Sequence, residues 1–86
     1  MRLYQTVFSR QALHFAVTAD DNTFAAINQW VDRIERTPSA PGDYTEQDAD
    51  GRELQVIVLH QLTITYWPDH ATREVRAVRI EANREI

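Results

Sequence analysis

The sequence predicts an α+β fold, with one or two helices packed on one face of a sheet of four or five mainly antiparallel strands. Three observations lead there. Between positions 24 and 34 the apolar residues recur at helical spacing. After Gly42 the period changes, and apolar residues alternate two by two. Short turn signals separate the alternating runs, so successive strands should join as hairpins with the helices set against one face. A chain of 86 residues suits one domain, taken as residues 1–86.

Residues 2–8 read as the first strand, because β-branched and aromatic side chains dominate and alternate. Ser9 can cap a helix by accepting a bond from a free N–H of the first turn. Ala12, Phe15, Ala16 and Ala19 then recur at helical spacing. Residues 14–18 also suit a short strand, and the helix is the favoured reading. The polar run Asp20-Asp21-Asn22 breaks the chain and places carboxylates at the positive end of a second helix, expected over residues 23–36. Phe24, Ile27, Trp30, Val31 and Ile34 form its apolar face, and Pro38 and Pro41 stop it.

Residues 43–48 read as a weak polar strand. Asp50-Gly51 is a hairpin signal whose two central positions favour positive φ. In the next strand, 54–60, Leu54, Val56 and Val58 face one way while Ile57 and Leu59 face the other, which suits an inner strand. Residues 61–67 alternate Leu62, Ile64 and Tyr66 against Thr63, Thr65 and Trp67. Residues 68–72 read as a turn, and 73–82 as the last strand.

The charge distribution narrows the function. All nine basic residues are arginine, against thirteen acids, for a net charge of −4. Residues 43–53 hold five of the acids and only Arg52, so this segment alone carries −4. The remaining residues balance. A broadly basic nucleic-acid binder is therefore disfavoured. There is no cysteine, which excludes disulfides and thiolate metal sites. No apolar run approaches the roughly 18 residues of a membrane span. Polar residues interrupt positions 1–10, so no signal-peptide core is expected there. A soluble cytoplasmic protein without cofactor or metal is the expectation.

The order of elements resembles the RelE/ParE toxin superfamily of bacterial toxin–antitoxin systems, particularly its small plasmid-stabilisation-like members. The resemblance lies in a first strand ending Phe8-Ser9 and followed by Ala12, and in a helix ending Ile34-Glu35-Arg36-Thr37-Pro38. It continues in Leu54-Gln55-Val56-Ile57-Val58, in Leu62-Thr63-Ile64-Thr65-Tyr66-Trp67, and in Glu74-Val75-Arg76-Ala77-Val78-Arg79-Ile80. Gly42-Asp43-Tyr44, Gly51-Arg52 and Tyr66-Trp67-Pro68-Asp69-His70 also match a pattern seen among such small proteins. The resemblance implies either cleavage of messenger RNA on the ribosome or inhibition of DNA gyrase, and it implies a cognate antitoxin as partner. In RelE-like members, basic residues on the sheet serve cleavage, usually with a C-terminal tyrosine or histidine. This chain departs from that pattern: Thr63 stands where the core-hairpin arginine is expected, strand 54–60 offers no cation, and no tyrosine follows Tyr66. The leading expectation is thus a toxin–antitoxin-type module that binds protein, with catalysis weak or lost. A ribosome-dependent endoribonuclease and a small homo-oligomeric interaction domain are the alternatives.

Several residues are candidates for these roles. Arg76, Arg79, Arg84 and His70 are the catalytic set that a ribonuclease would use. Simple alternation puts Arg73 and Arg79 on one face and Arg76 on the other. Cross-strand pairing with acids such as Glu53 is the bland alternative for these arginines, and a phosphate or partner contact the sharper one. His70 beside Asp69 suits a general base, since imidazole titrates near neutrality, and it equally suits ordinary turn chemistry. Glu46, Asp48, Asp50 and Gly51 mimic the opening of a calcium loop, but the closing position falls on the apolar Ile57. Trp30 belongs to the core face of its helix. Trp67 should lie on the open sheet face, where with Ile57, Leu59 and Arg73 it would form a partner-binding patch. A homodimer is a further possibility for that patch, and nucleic acid would be reached only indirectly.

Overall fold

The computed structural model describes residues 2–83. Its elements run β1 (Gln5–Phe8), α1 (Arg10–Thr18), α2 (Asp21–Arg36), β2 (Tyr44–Gln47), β3 (Glu53–Val58), β4 (Leu62–Asp69) and β5 (Glu74–Ala82). The five strands form one sheet in the order β1-β5-β4-β3-β2. Neighbours are antiparallel except β1 and β5, which run parallel with Gln5 opposite Glu74. The expected two-layer α+β architecture is therefore present, with both helices.

Residues 10–18 are helical because Ser9 caps them and because Ala12 and Ala16 put no bulk on the buried side. The Ser9 hydroxyl accepts from the Ala12 N–H at 3.1 Å and donates to the Val78 carbonyl at 2.7 Å. Gln11 accepts from the Ile80 N–H at 2.9 Å and donates to the Ile80 carbonyl at 2.7 Å. The β1 ladder ends at the Phe8–Ala77 pair, so these two side chains take over the edge of β5 that β1 no longer covers.

The second helix begins two residues earlier than predicted. Asp20 caps it, accepting from the Thr23 N–H at 2.8 Å. Ile27, Trp30 and Ile34 are buried, as the period requires, whereas Phe24 at the first turn is 45% exposed. Glu35 is buried although charged. Its carboxylate accepts from the Thr6 N–H at 2.7 Å, and its carbonyl accepts from the N–H groups of Leu3 and Tyr4. The end of α2 thereby satisfies the outer edge of β1.

Between the layers lie Ile27, Trp30 and Ile34 from α2, Leu62, Ile64 and Tyr66 from β4, and Val75, Ala77 and Ile80 from β5. Trp30 and Tyr66 meet edge to face with centroids 5.2 Å apart. Gly42 passes so close to β3 that a Cβ there would lie 2.6 Å from the Val56 carbonyl oxygen.

Three local expectations need correction. The Asp50-Gly51 turn has positive φ only at Gly51 (81°), and its N–H donates to the Asp48 carbonyl. It is a longer turn closed by a left-handed glycine, not a two-residue loop with both centres at positive φ. Asp48 holds it, its carboxylate accepting from the N–H groups of Asp50 and Arg52. Residues 68 and 69 belong to β4 rather than to the following turn. Pro68 is tolerated because the β3 ladder has already ended at Tyr66, so its missing N–H leaves no bond unmade. Finally, the register shifts between Thr65 and Tyr66, where Tyr66 pairs with Ala77 and Thr65 with Arg79. Val78 is the extra residue, and it changes the parity of β5.

Candidate functional site

The face of the sheet away from the helices carries the candidate site. Residues directly opposite one another in paired strands share a face. Trp67 pairs with Arg76, Thr65 with Arg79 and with Val56, and Glu46 with Leu54. The Val78 bulge therefore puts Arg76 and Arg79 on the same open face, where simple alternation had separated them. Arg73 is not in β5 at all. It sits in the preceding turn at φ 56° and borders a cleft shared with Arg2, Tyr4 and Glu35.

Trp67 lies on the open face as expected, but Ile57 and Leu59 do not join it. Ile57 pairs with the buried Ile64, and both Ile57 and Leu59 pack against the helix-side core. The apolar residues beside Trp67 on the open face are instead Leu54 and Val56, both buried, with Tyr44 and Val58 exposed at the rim. Two guanidinium groups lie over Trp67: that of Arg52 at 4.0 Å from the ring centre and that of Arg76 at 5.9 Å. Phe8, Ser9, Trp67, Asp69 and Arg76 border a cleft of about 460 Å³.

Each arginine of this face already has carboxylate partners. Arg76 donates to Asp69 at 3.2 Å and to Glu74 at 2.8 Å. Arg79 donates to Glu46 at 2.6 Å, to Glu81 at 2.5 Å and to the Thr65 hydroxyl at 3.3 Å. Arg52 stands 3.9 Å from Asp48. Pairing with acids is thus realised, with Glu46 rather than Glu53 as the cross-strand partner. The bond to Glu46, joined by that to Glu81, holds the Arg79 guanidinium above its ordinary value against the effect of burial. For Asp69, burial pushes the carboxyl up, but the bonds from Arg76 and Thr72 prevail and it lies below the usual aspartate range. Among the described residues three guanidinium groups meet five carboxylates here, with no excess of positive charge for a phosphate.

His70 does not pair with Asp69. Its Nδ1 and the Tyr4 hydroxyl share a hydrogen bond at 2.5 Å, with the rings edge to face. Asp69 instead accepts from the Ala71 N–H and from Arg76. Arg84 lies outside the described residues. Among the described residues no group of three His, Cys, Asp or Glu side chains is placed to hold a metal. The loop that mimics a calcium site spends Glu46 on Arg79 and Asp48 on backbone N–H groups.

Sequence reasoning missed Arg52, Glu46 and Tyr4. Arg52 reaches Trp67 only through the hairpin turn, and Glu46 meets Arg79 only through the strand register. Neither relation has a local signal.

No protein-family model matches the sequence, and no curated protein matches it. Solved structures do. The chain superposes on one from the toxin–antitoxin complex RelBE2 of Mycobacterium tuberculosis with a TM-score of 0.71 at 13% identity, covering 93% of this chain and 98% of that one. It superposes on one from the archaeal RelE–RelB complex of Pyrococcus horikoshii OT3 with a TM-score of 0.77 at 9% identity, covering 98% and 99%. The chain has the RelE/ParE-like fold. At such low identity the RelE likeness concerns the backbone, and the side chains of the open face have to be read on their own. No helix among the described residues is long and apolar enough to cross a membrane.

Proposed function

We propose that this chain is a toxin–antitoxin-type module that acts by binding protein through its open sheet face, with ribonuclease chemistry weak or lost. One observation carries the reading: Arg76 and Arg79, the described arginines a RelE-like ribonuclease would use, are held by Asp69, Glu74, Glu46 and Glu81. In-line cleavage of RNA needs cations free to gather around the phosphate and a base beside the attacking hydroxyl. Here the cations are engaged, and the one nearby imidazole is bonded to Tyr4. A tryptophan flanked by guanidinium groups, with Leu54 and Val56 beneath and Tyr44 and Val58 at the rim, suits a protein contact better.

The fold likeness to RelE toxins, solved in complex with RelB, supports a protein partner for this chain. The partner in mind is a cognate antitoxin encoded beside it, in a bacterial cytoplasm. The experiment is co-expression with the neighbouring small reading frame, followed by an assay of ribosome-bound message with the purified chain. The expected result is a stable complex and intact message. Message cleavage by the isolated chain would establish the endoribonuclease reading instead. A homodimer with no bound partner would favour the interaction-domain reading.

A further inference from the structure

The two edges of the sheet are finished differently. At the β1 edge, Glu35 accepts from the N–H groups of Leu3, Tyr4 and Thr6. Beyond β1, Ser9 and Gln11 satisfy Val78 and Ile80. On that side the Thr6 N–H, the Val78 carbonyl and both backbone groups of Ile80 are already bonded. The other edge is β2, which has β3 on one side and, among the described residues, no strand on the other. The Asp48 N–H donates inward to the Arg52 carbonyl, so by alternation the backbone groups of Glu46 also face β3. The N–H and carbonyl groups of Thr45 and Gln47 therefore face outward, and both residues are exposed.

An exposed strand edge is a template for a further strand, because its unpaired backbone groups supply the hydrogen bonds. Charge selects the occupant. Residues 43–53 carry five acids against Arg52, and among the described residues Arg79 is the one further cation bonded to them. A second copy would set Glu46 and its flanking aspartates against their own equivalents, which like-charge repulsion opposes. RNA would meet the same acidic segment within about 10 Å at 0.1 M salt. An extended strand bearing lysine or arginine meets neither obstacle, and its apolar residues would find Tyr44 and Val58 exposed on the open face.

We propose that β2 is a docking edge for an extended, basic strand of another protein, added beside Thr45 and Gln47. The proposal rests on the reading of the chain as a protein-binding module. It goes further in placing the contact at one edge and in stating the partner's charge.

The test uses the full chain, isotopically labelled, and two octapeptides that alternate lysine with threonine or glutamate with threonine. The lysine peptide is expected to protect the amides of Thr45 and Gln47 from hydrogen exchange, and the glutamate peptide is not. Thr45→Pro removes an N–H the fold does not use, and should weaken binding about tenfold. Glu46→Gln should weaken it about threefold, and added salt should do the same. Equal binding of both peptides, protection confined to the helices, or no binding at all would overturn the proposal. Concentration-dependent protection of Thr45 and Gln47 without peptide would assign the edge to a second copy, and binding of a single-stranded RNA there would assign it to nucleic acid. Either would overturn it too. Message cleavage and complex formation with a neighbouring gene product are read separately, so failure here leaves those outcomes distinct.

Discussion

The Arg79 guanidinium donates to the Glu46 carboxylate at 2.6 Å, joining β5 to the edge strand across the open face. The two side chains are 42% and 37% exposed, so the pair contributes at most about 1 kcal/mol to stability. Its larger effect is on charge. Glu46→Gln should leave the melting temperature nearly unchanged while removing one of the two carboxylates that hold Arg79, leaving it to Glu81. Affinity for single-stranded RNA should then rise, by about threefold at low salt, with a steeper salt dependence. Filter binding at several salt concentrations checks this, and an unchanged affinity would show that Glu46 does not restrain Arg79.

Ser9→Ala removes a helix cap and the partner of the Val78 carbonyl together. The loss should be about 1–2 kcal/mol, at the upper part of the range for a cap. Ser9→Asp keeps the cap but cannot donate to Val78, so it should recover only part of that loss. Urea denaturation of the three proteins measures the split between the two roles.

Gly42→Ala should be far more damaging than Gly51→Ala. At Gly42 the new methyl would meet backbone atoms of Val56, at 2.6 Å from its oxygen, and backbone cannot step aside. At Gly51 there is open space, and the cost is only that of positive φ, about 1 kcal/mol. Thermal melts should rank them in that order, with Gly42→Ala losing the β2–β3 pairing outright.

Acid should weaken the fold through Asp20, Asp32 and Asp69. Bonds from Thr23 lower Asp20, and the bond from Arg2 lowers Asp32. Asp69 is pushed up by burial but brought lower overall by Arg76 and Thr72. Each folded value lies below the unfolded value of about 3.9. The stability they contribute is therefore complete above that pH and is lost as pH falls through the folded values. Denaturation midpoints should be flat near neutrality and drop below about pH 4. Asp20→Asn keeps a capping side chain and should flatten part of the drop.

The elements were legible in the sequence because their causes are local. Ser9 and Asp20 announce helix starts, the spacing of Ile27, Trp30 and Ile34 announces a buried face, and alternation announces strands. The composition of the open face was not legible to the same degree. Which side Ile57 takes depends on its pairing with Ile64, and that register is set by the His60-Gln61 turn, where Leu59 donates to Leu62. The side that Arg79 takes depends on one extra residue, Val78, whose insertion is supported by Ser9, far away in the chain. Parity along a strand is read from neighbours, whereas a bulge is decided by a distant element.

The parallel pairing of β1 with β5 has a consequence for how the molecule is made. β1 leaves the ribosome well before its partner, since Gln5 has no ladder partner until Glu74 has been synthesised. β5 also lies between β1 and β4, so the sheet is not continuous until β5 has been made. Contacts this distant in sequence slow folding and leave the nascent chain open for longer. The core, which takes Val75, Ala77 and Ile80 from β5, stays open throughout that interval.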